Sequence, residues 1–303
     1  MTDSITANIK SLQKERNAVI LAHNYQLPEV QDIADYVGDS LGLSQQAAKT
    51  DADVIVFCGV YFMAETASVL CPDKTVLMPD KNAGCPMADM ITANQLREMK
   101  QQHPDAVVIC YVNSTADVKA ESDCCCTSSN AVAVVESYSD ADEIIFVPDK
   151  YLGHYAAMQT GQELIFWNGY CPTHVRITAE QILKMKEQHP QAVVLAHPEC
   201  TPSVIDVADQ ALSTGGMCNF VQTSSAQEFI VATEAGLVHS LSKQNPLKTF
   251  LPILPAAVCP NMKMTNTEKI LWALQDMQHQ VTVPEDIRAN AKKSILRMLE
   301  ITS

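Results

Sequence analysis

The chain has 303 residues, 47% hydrophobic and 18% charged, enough for a prior of roughly two domains and incompatible with a disordered or collagen-like polypeptide. Its 21 Lys and Arg against 35 Asp and Glu leave a net charge of −14, which argues against nonspecific binding to nucleic acid or to an anionic membrane. No apolar run reaches the ~18 residues of a transmembrane helix, and the polar start MTDSITANIKSLQKERN lacks the regions of a signal peptide. The eleven cysteines, with Cys124, Cys125 and Cys126 adjacent, make a poor disulfide framework. A reducing cytoplasm is therefore expected, with thiols used for metal ligation or apolar packing.

In chain order, an amphipathic N-terminal helix leads to an apolar run predicted as a strand, residues 18–22. A helix or turn follows, then strands over 54–58 and 75–78, and the unit closes at Cys85-Pro86. The same grammar then returns. ITANQLREMKQQHPDAVV (91–108) and ITAEQILKMKEQHPQAVV (177–194) lie 86 residues apart and agree at 12 of 18 positions. The ITA of residues 5–7 lies another 86 residues upstream. Strands are predicted over 106–110, 143–147 and 163–167 in the second unit, which closes at Cys171-Pro172. In the third they fall over 192–196, 229–232 and 249–254, before Cys259-Pro260. Pro28, Val30, Asp32, Ala34 and Asp35 match Pro202, Val204, Asp206, Ala208 and Asp209 at an offset of 174.

Continuous Val/Ile/Leu runs between helical segments predict parallel strands buried on both faces. The expectation is an α/β fold of three homologous αβα domains, residues 1–88, 89–174 and 175–262, about a pseudo-threefold axis with the active site at their junction. The tail, 263–303, reads as helices packing back on the first unit.

Ligands of open α/β sheets bind beyond the carboxyl ends of the strands. There the units align His23, Tyr111 and His197, and two residues on, Tyr25, Asn113 and Glu199. A lone histidine is usually a satisfied structural residue; the same strand end polar in three copies points to binding or proton transfer. Ser40, Ser128 and Thr214 form a second set, each before a predicted helix start, where a hydroxyl caps the helix or binds an anion. Cys85, Cys171 and Cys259 form the third set. Three soft ligands meeting at one point suit an iron–sulfur cluster or zinc, and three cysteines leave one iron of a cubane open. Cys124–Cys126 are read as lining the loop into Ser128. No glycine motif for a nucleotide is present.

These residues carry a resemblance to the quinolinate synthase family: HNYQ (23–26), GDSL (38–41), YVN (111–113), CCTSSNA (125–131), HPEC (197–200), STGGM (213–217) and the three Cys-Pro sites, in order over nearly the whole chain. The resemblance implies a [4Fe-4S] cluster on Cys85, Cys171 and Cys259, with the fourth iron free for substrate. It implies condensation of iminoaspartate with dihydroxyacetone phosphate to quinolinate, with loss of phosphate and water. Glu199 is then the general base beside His197, Tyr25 and Tyr111 move protons or stack on the ring, and His23, Asn113, Ser40, Ser128 and Thr214 hold carboxylates and phosphate. Tyr111, His197 and Glu199 also contact substrate. An iminoaspartate-producing enzyme is the implied transient partner. No second cysteine stands near Cys259, so no redox switch is expected there. A non-catalytic iron–sulfur sensor and a zinc hydrolase are the alternative readings.

Overall fold

The computed structural model describes residues 2–301. Each unit has the same eight elements. The first holds α1 (Thr2–Glu15), β1 (Ala18–His23), α2 (Pro28–Ile33), β2 (Tyr36–Gly38), α3 (Ser40–Lys49), β3 (Val54–Cys58), α4 (Tyr61–Leu70) and β4 (Thr75–Leu77). The second holds α5 (Ala93–Gln102), β5 (Val107–Tyr111), α6 (Ala116–Ala120), β6 (Cys124–Cys126), α7 (Ala131–Glu136), β7 (Ile144–Val147), α8 (Lys150–Thr160) and β8 (Ile165–Phe166). The third holds α9 (Ala179–Gln188), β9 (Val193–Ala196), α10 (Pro202–Ile205), β10 (Gln210–Ala211), α11 (Thr214–Thr223), β11 (Glu228–Ala232), α12 (Leu237–Gln244) and β12 (Thr249–Pro252). The tail adds α13 (Thr267–Asp276) and α14 (Glu285–Glu300).

The strand orders are β2-β1-β3-β4, β6-β5-β7-β8 and β10-β9-β11-β12, all parallel. The α/β class with three flanked parallel sheets is thus as the sequence predicts. The edge strands β2, β6 and β10 are additions. Cys124–Cys126 are not a loop but the whole of β6, fully buried. Small apolar thiols suit a short strand under a covering helix.

One device fixes each edge strand. The carboxylate Oδ2 of Asp35, Asp123 and Asp209 accepts the backbone N–H of Ile20, Val108 and Val194, at 2.8 Å in each case. The aspartate N–H donates back to the carbonyl of the same residue at 3.0 Å. The second and third ITA segments open α5 and α9 with matching capping boxes, Thr92 with Gln95 and Thr178 with Gln181.

Alternation along the first sheet divides its two faces. Ile20, Ala22, Val54, Val56 and Leu77 pack with Ile9 of α1 and with Ile270 and Leu274 of α13. Leu21, Ile55, Phe57 and Val76 join the large core shared with the second unit. The tail therefore divides. α13 lies on α1, while α14 packs chiefly on α6 and β6 of the second unit, which corrects the expectation that the whole tail returns to the first. The physical reason is the buried stripe Ala291, Ser294, Ile295 and Met298 on α14. Ser294 Oγ donates to the Lys119 carbonyl at 2.8 Å, and Asn130 Nδ2 to the Met298 carbonyl at 3.2 Å. No helix among the described residues is long and apolar enough to cross a membrane.

Candidate active site

The carboxyl ends of β1, β5 and β9 carry His23, Tyr111 and His197, with Tyr25, Asn113 and Glu199 two residues on, to one chamber, and the segments after β2, β6 and β10 bring Ser40, Ser128 and Thr214. His23, Tyr25, Ser40, Cys85, Tyr111, Asn113, Ser128, Cys171, His197, Glu199, Thr214 and Cys259 all line it. It is therefore built from all three units.

Glu199 lies at its centre, 3% exposed. Tyr111 Oη donates to its Oε1 at 2.5 Å, and Asn113 Nδ2 to the same oxygen at 3.3 Å. Its Oε2 is 2.6 Å from His174 Nδ1 and 3.8 Å from His197 Nδ1. Burial works to raise the Glu199 pKa, but the close approach of His174 and His197 and the hydrogen bond from Tyr111 outweigh it and hold the carboxyl well below the usual range. His174 Nε2 lies 2.8 Å from Thr233 Oγ1, which is 2.6 Å from Tyr25 Oη. His174 also stacks on His197, with ring centres 4.7 Å apart. Burial holds His197 down to about 3 and His23 to about 4, against the pull of nearby carboxylates, so both imidazoles are neutral. Burial, then the Glu199 charge, pushes both tyrosines well above their ordinary value.

Ser40 and Thr214 open α3 and α11, but neither caps its helix. Asp39 and Ser213 do so, accepting from Gly42 N and Gly216 N. Ser128 precedes the Asn130 cap position of α7. The expected capping role thus passes to neighbouring residues, which leaves the three hydroxyls to the chamber; Thr214 Oγ1 accepts from Asn24 Nδ2 at 2.9 Å.

Each Cys-Pro leads into a 3₁₀ turn: Ala88–Met90, His174–Arg176 and Asn261–Lys263. Burial pushes Cys85 up to about 12 and Cys171 and Cys259 upward too, while backbone N–H groups of Ala88, His174 and Met262 donate to the three sulfurs and oppose the rise. A carboxylate steadies one of the cysteines from behind: Glu234 Oε1 accepts from Cys259 N at 3.1 Å. Lys263 Nζ pairs with Glu234 at 2.9 Å and donates to the Tyr25 carbonyl.

Three buried thiols with N–H donors suit a soft metal centre, since a metal removes the proton that burial retains. A single zinc would draw thiolates to ~3.8 Å of one another. Among the described residues, the one set of three ligand atoms within 4.8 Å is Cys171, His174 and Glu199; the cysteine trio is more widely spread. That spread fits a multi-iron cluster better than one ion.

Sequence reasoning missed His174, Thr233, Glu234 and Asp39. His174 had a signal: it stands three residues after Cys171, where the other units have Ala88 and Met262. Met63 lines the chamber, whereas Glu65 lies in a neighbouring pocket.

Fold and chamber together define a class: an α/β protein of three repeated units whose strand ends enclose one site of imidazoles, carboxylate and three thiols. The family model described as quinolinate synthetase A protein matches residues 7–300. A quinolinate synthase of Methanosarcina barkeri is 56% identical over 293 residues, 97% of this chain and 96% of the relative. One from Geobacter metallireducens is 56% identical over 299 residues, 99% and 98% of the two chains, and one from Dehalococcoides mccartyi is 54% identical over 297, 98% of each. The chain belongs to the quinolinate synthase family.

Proposed function

We propose that this protein condenses iminoaspartate with dihydroxyacetone phosphate to quinolinate, releasing phosphate and water, in the cytoplasm. The observation that carries the reading is the meeting of all twelve residues in one chamber, in a chain of this family. Cys85, Cys171 and Cys259 would hold a [4Fe-4S] cluster. When bound, that cluster supplies an open iron as Lewis acid for a departing hydroxyl.

The chain's own residues form a proton relay. Tyr111, Glu199, His174, Thr233 and Tyr25 follow one another at 2.5, 2.6, 2.8 and 2.6 Å. It joins the first strand ends of all three units, with a tyrosine at each end. Glu199 accepts a proton as base, His174 lies against its other oxygen and fixes its orientation, and the tyrosines exchange protons with the bound substrate. Asn113, His23 and His197 orient carboxylates, and the neutral imidazoles donate or accept without adding charge. Ser40, Ser128 and Thr214 hold the phosphate. Burial of the chamber excludes water from a reactive imine. An enzyme that makes iminoaspartate is the partner this reading implies.

Anaerobically purified protein given both substrates is expected to form quinolinate. A fully loaded cluster with no product would replace the reading by a non-catalytic iron–sulfur sensor.

A further inference from the structure

Asp39 has no part in the relay, yet it is where loops of all three units touch. Its Oδ1 accepts from Gly42 N at 2.9 Å, within its own unit. Its Oδ2 accepts from Ser129 Oγ of the second unit at 2.6 Å and from Ser213 Oγ of the third at 3.4 Å. Ser129 and Ser213 are themselves 2.8 Å apart, Oγ to Oγ. Ser213 in turn caps α11 through Gly216 N at 3.0 Å. One carboxylate therefore ties together the segments after β2, β6 and β10.

The chain neighbours of these three residues are Ser40, Ser128 and Thr214, the hydroxyls of the chamber. On the outer side lies an open cavity of about 640 Å³, lined by Asp39, Ser129, Ser213 and Gly215 among others. Asp39 and Ser128 line both spaces, so the bridge is the partition between them. No Lys or Arg lines the chamber among the described residues. An anion must then be held by neutral donors, whose attraction depends on direction and spacing. Gly215 has a matching constraint: a Cβ there would stand 2.5 Å from Asp39 Oδ2.

We propose that Asp39 is the positioning residue of the anion subsite: its three-way bridge sets the spacing of Ser40, Ser128 and Thr214 around the phosphate of the substrate. The inference rests on the functional reading above.

The test pairs steady-state kinetics with hydrogen exchange on the anaerobic holoenzyme. Asp39→Ala and Gly215→Ala are each expected to raise KM for the phosphate substrate about tenfold or more, with KM for iminoaspartate, iron and sulfide unchanged. Asp39→Asn, which retains an acceptor, recovers most of the loss. Exchange is expected to rise in peptides covering 127–131 and 212–217, although neither contains Asp39. Unchanged KM in both variants, a parallel rise for both substrates, or faster exchange confined to α3 would overturn the proposal. The exchange result stands whether or not the wild-type protein makes quinolinate, so the two readings fail separately.

Discussion

Glu199 keeps its charge where burial opposes it, because His174 and Tyr111 each lie within 2.6 Å of its oxygens. The carboxylate is therefore held ionised, the form in which the proposed reaction uses it as a proton acceptor. Glu199→Gln is expected to retain the cluster and its colour while turnover falls by roughly a hundredfold or more; near-normal turnover would remove Glu199 as the base. His174→Asn breaks the same relay one step further on. It should lower kcat more than KM and move the acid limb of the pH profile, whereas a stability loss alone would make His174 structural. Cys171→Ser should lose the cluster. A fully loaded, active variant would contradict the ligand assignment.

At the scale of elements, the aspartate clamps give an internal control that the repeat provides. Asp209→Ala removes the acceptor for Val194 N and is expected to cost about 1 kcal/mol of stability by urea titration. Asp35→Ala and Asp123→Ala should cost similar amounts, and one site costing nothing would show that the clamp is not shared. Long apolar strands such as β3 and β11 were legible because continuous Val/Ile/Phe runs have few other uses. The edge strands β2, β6 and β10 were not. They are two or three residues long, too short for periodicity, and tertiary clamps define them more than propensity does. The α14 placement was illegible for a similar reason: its stripe fits any apolar groove, and the hydrogen bonds that choose the second unit come from Ser294 and Asn130. His174 sits in a turn with no strand to mark it, so only its departure from the repeat could reveal it.

At the scale of the molecule, the chamber exists only where the units meet, and its buried histidines make acid the weak side of stability. His23 and His197 are neutral when folded and ordinary when unfolded, so the unfolded chain binds more protons as pH falls below about 6.5. Stability is then lost progressively toward pH 4 and pH 3, by up to about 3 kcal/mol for His23. Glu199 acts in the same direction at lower pH: its lowered pKa stabilises above about 4.5, and that contribution disappears on further acidification. The urea midpoint should fall between pH 7 and pH 5, and His23→Gln should flatten the fall. A wild-type midpoint level across that range would contradict the buried neutral state.

In the proposed enzyme the three Cys-Pro sites, one per unit, hold one multi-iron cluster at the junction. The most direct measurement is iron, zinc and acid-labile sulfide per chain in anaerobically purified protein. About four irons and four sulfides, falling sharply in Cys85→Ser, Cys171→Ser and Cys259→Ser alike, is the predicted result. Zinc without sulfide, or full iron and sulfide in any of the three variants, would contradict it.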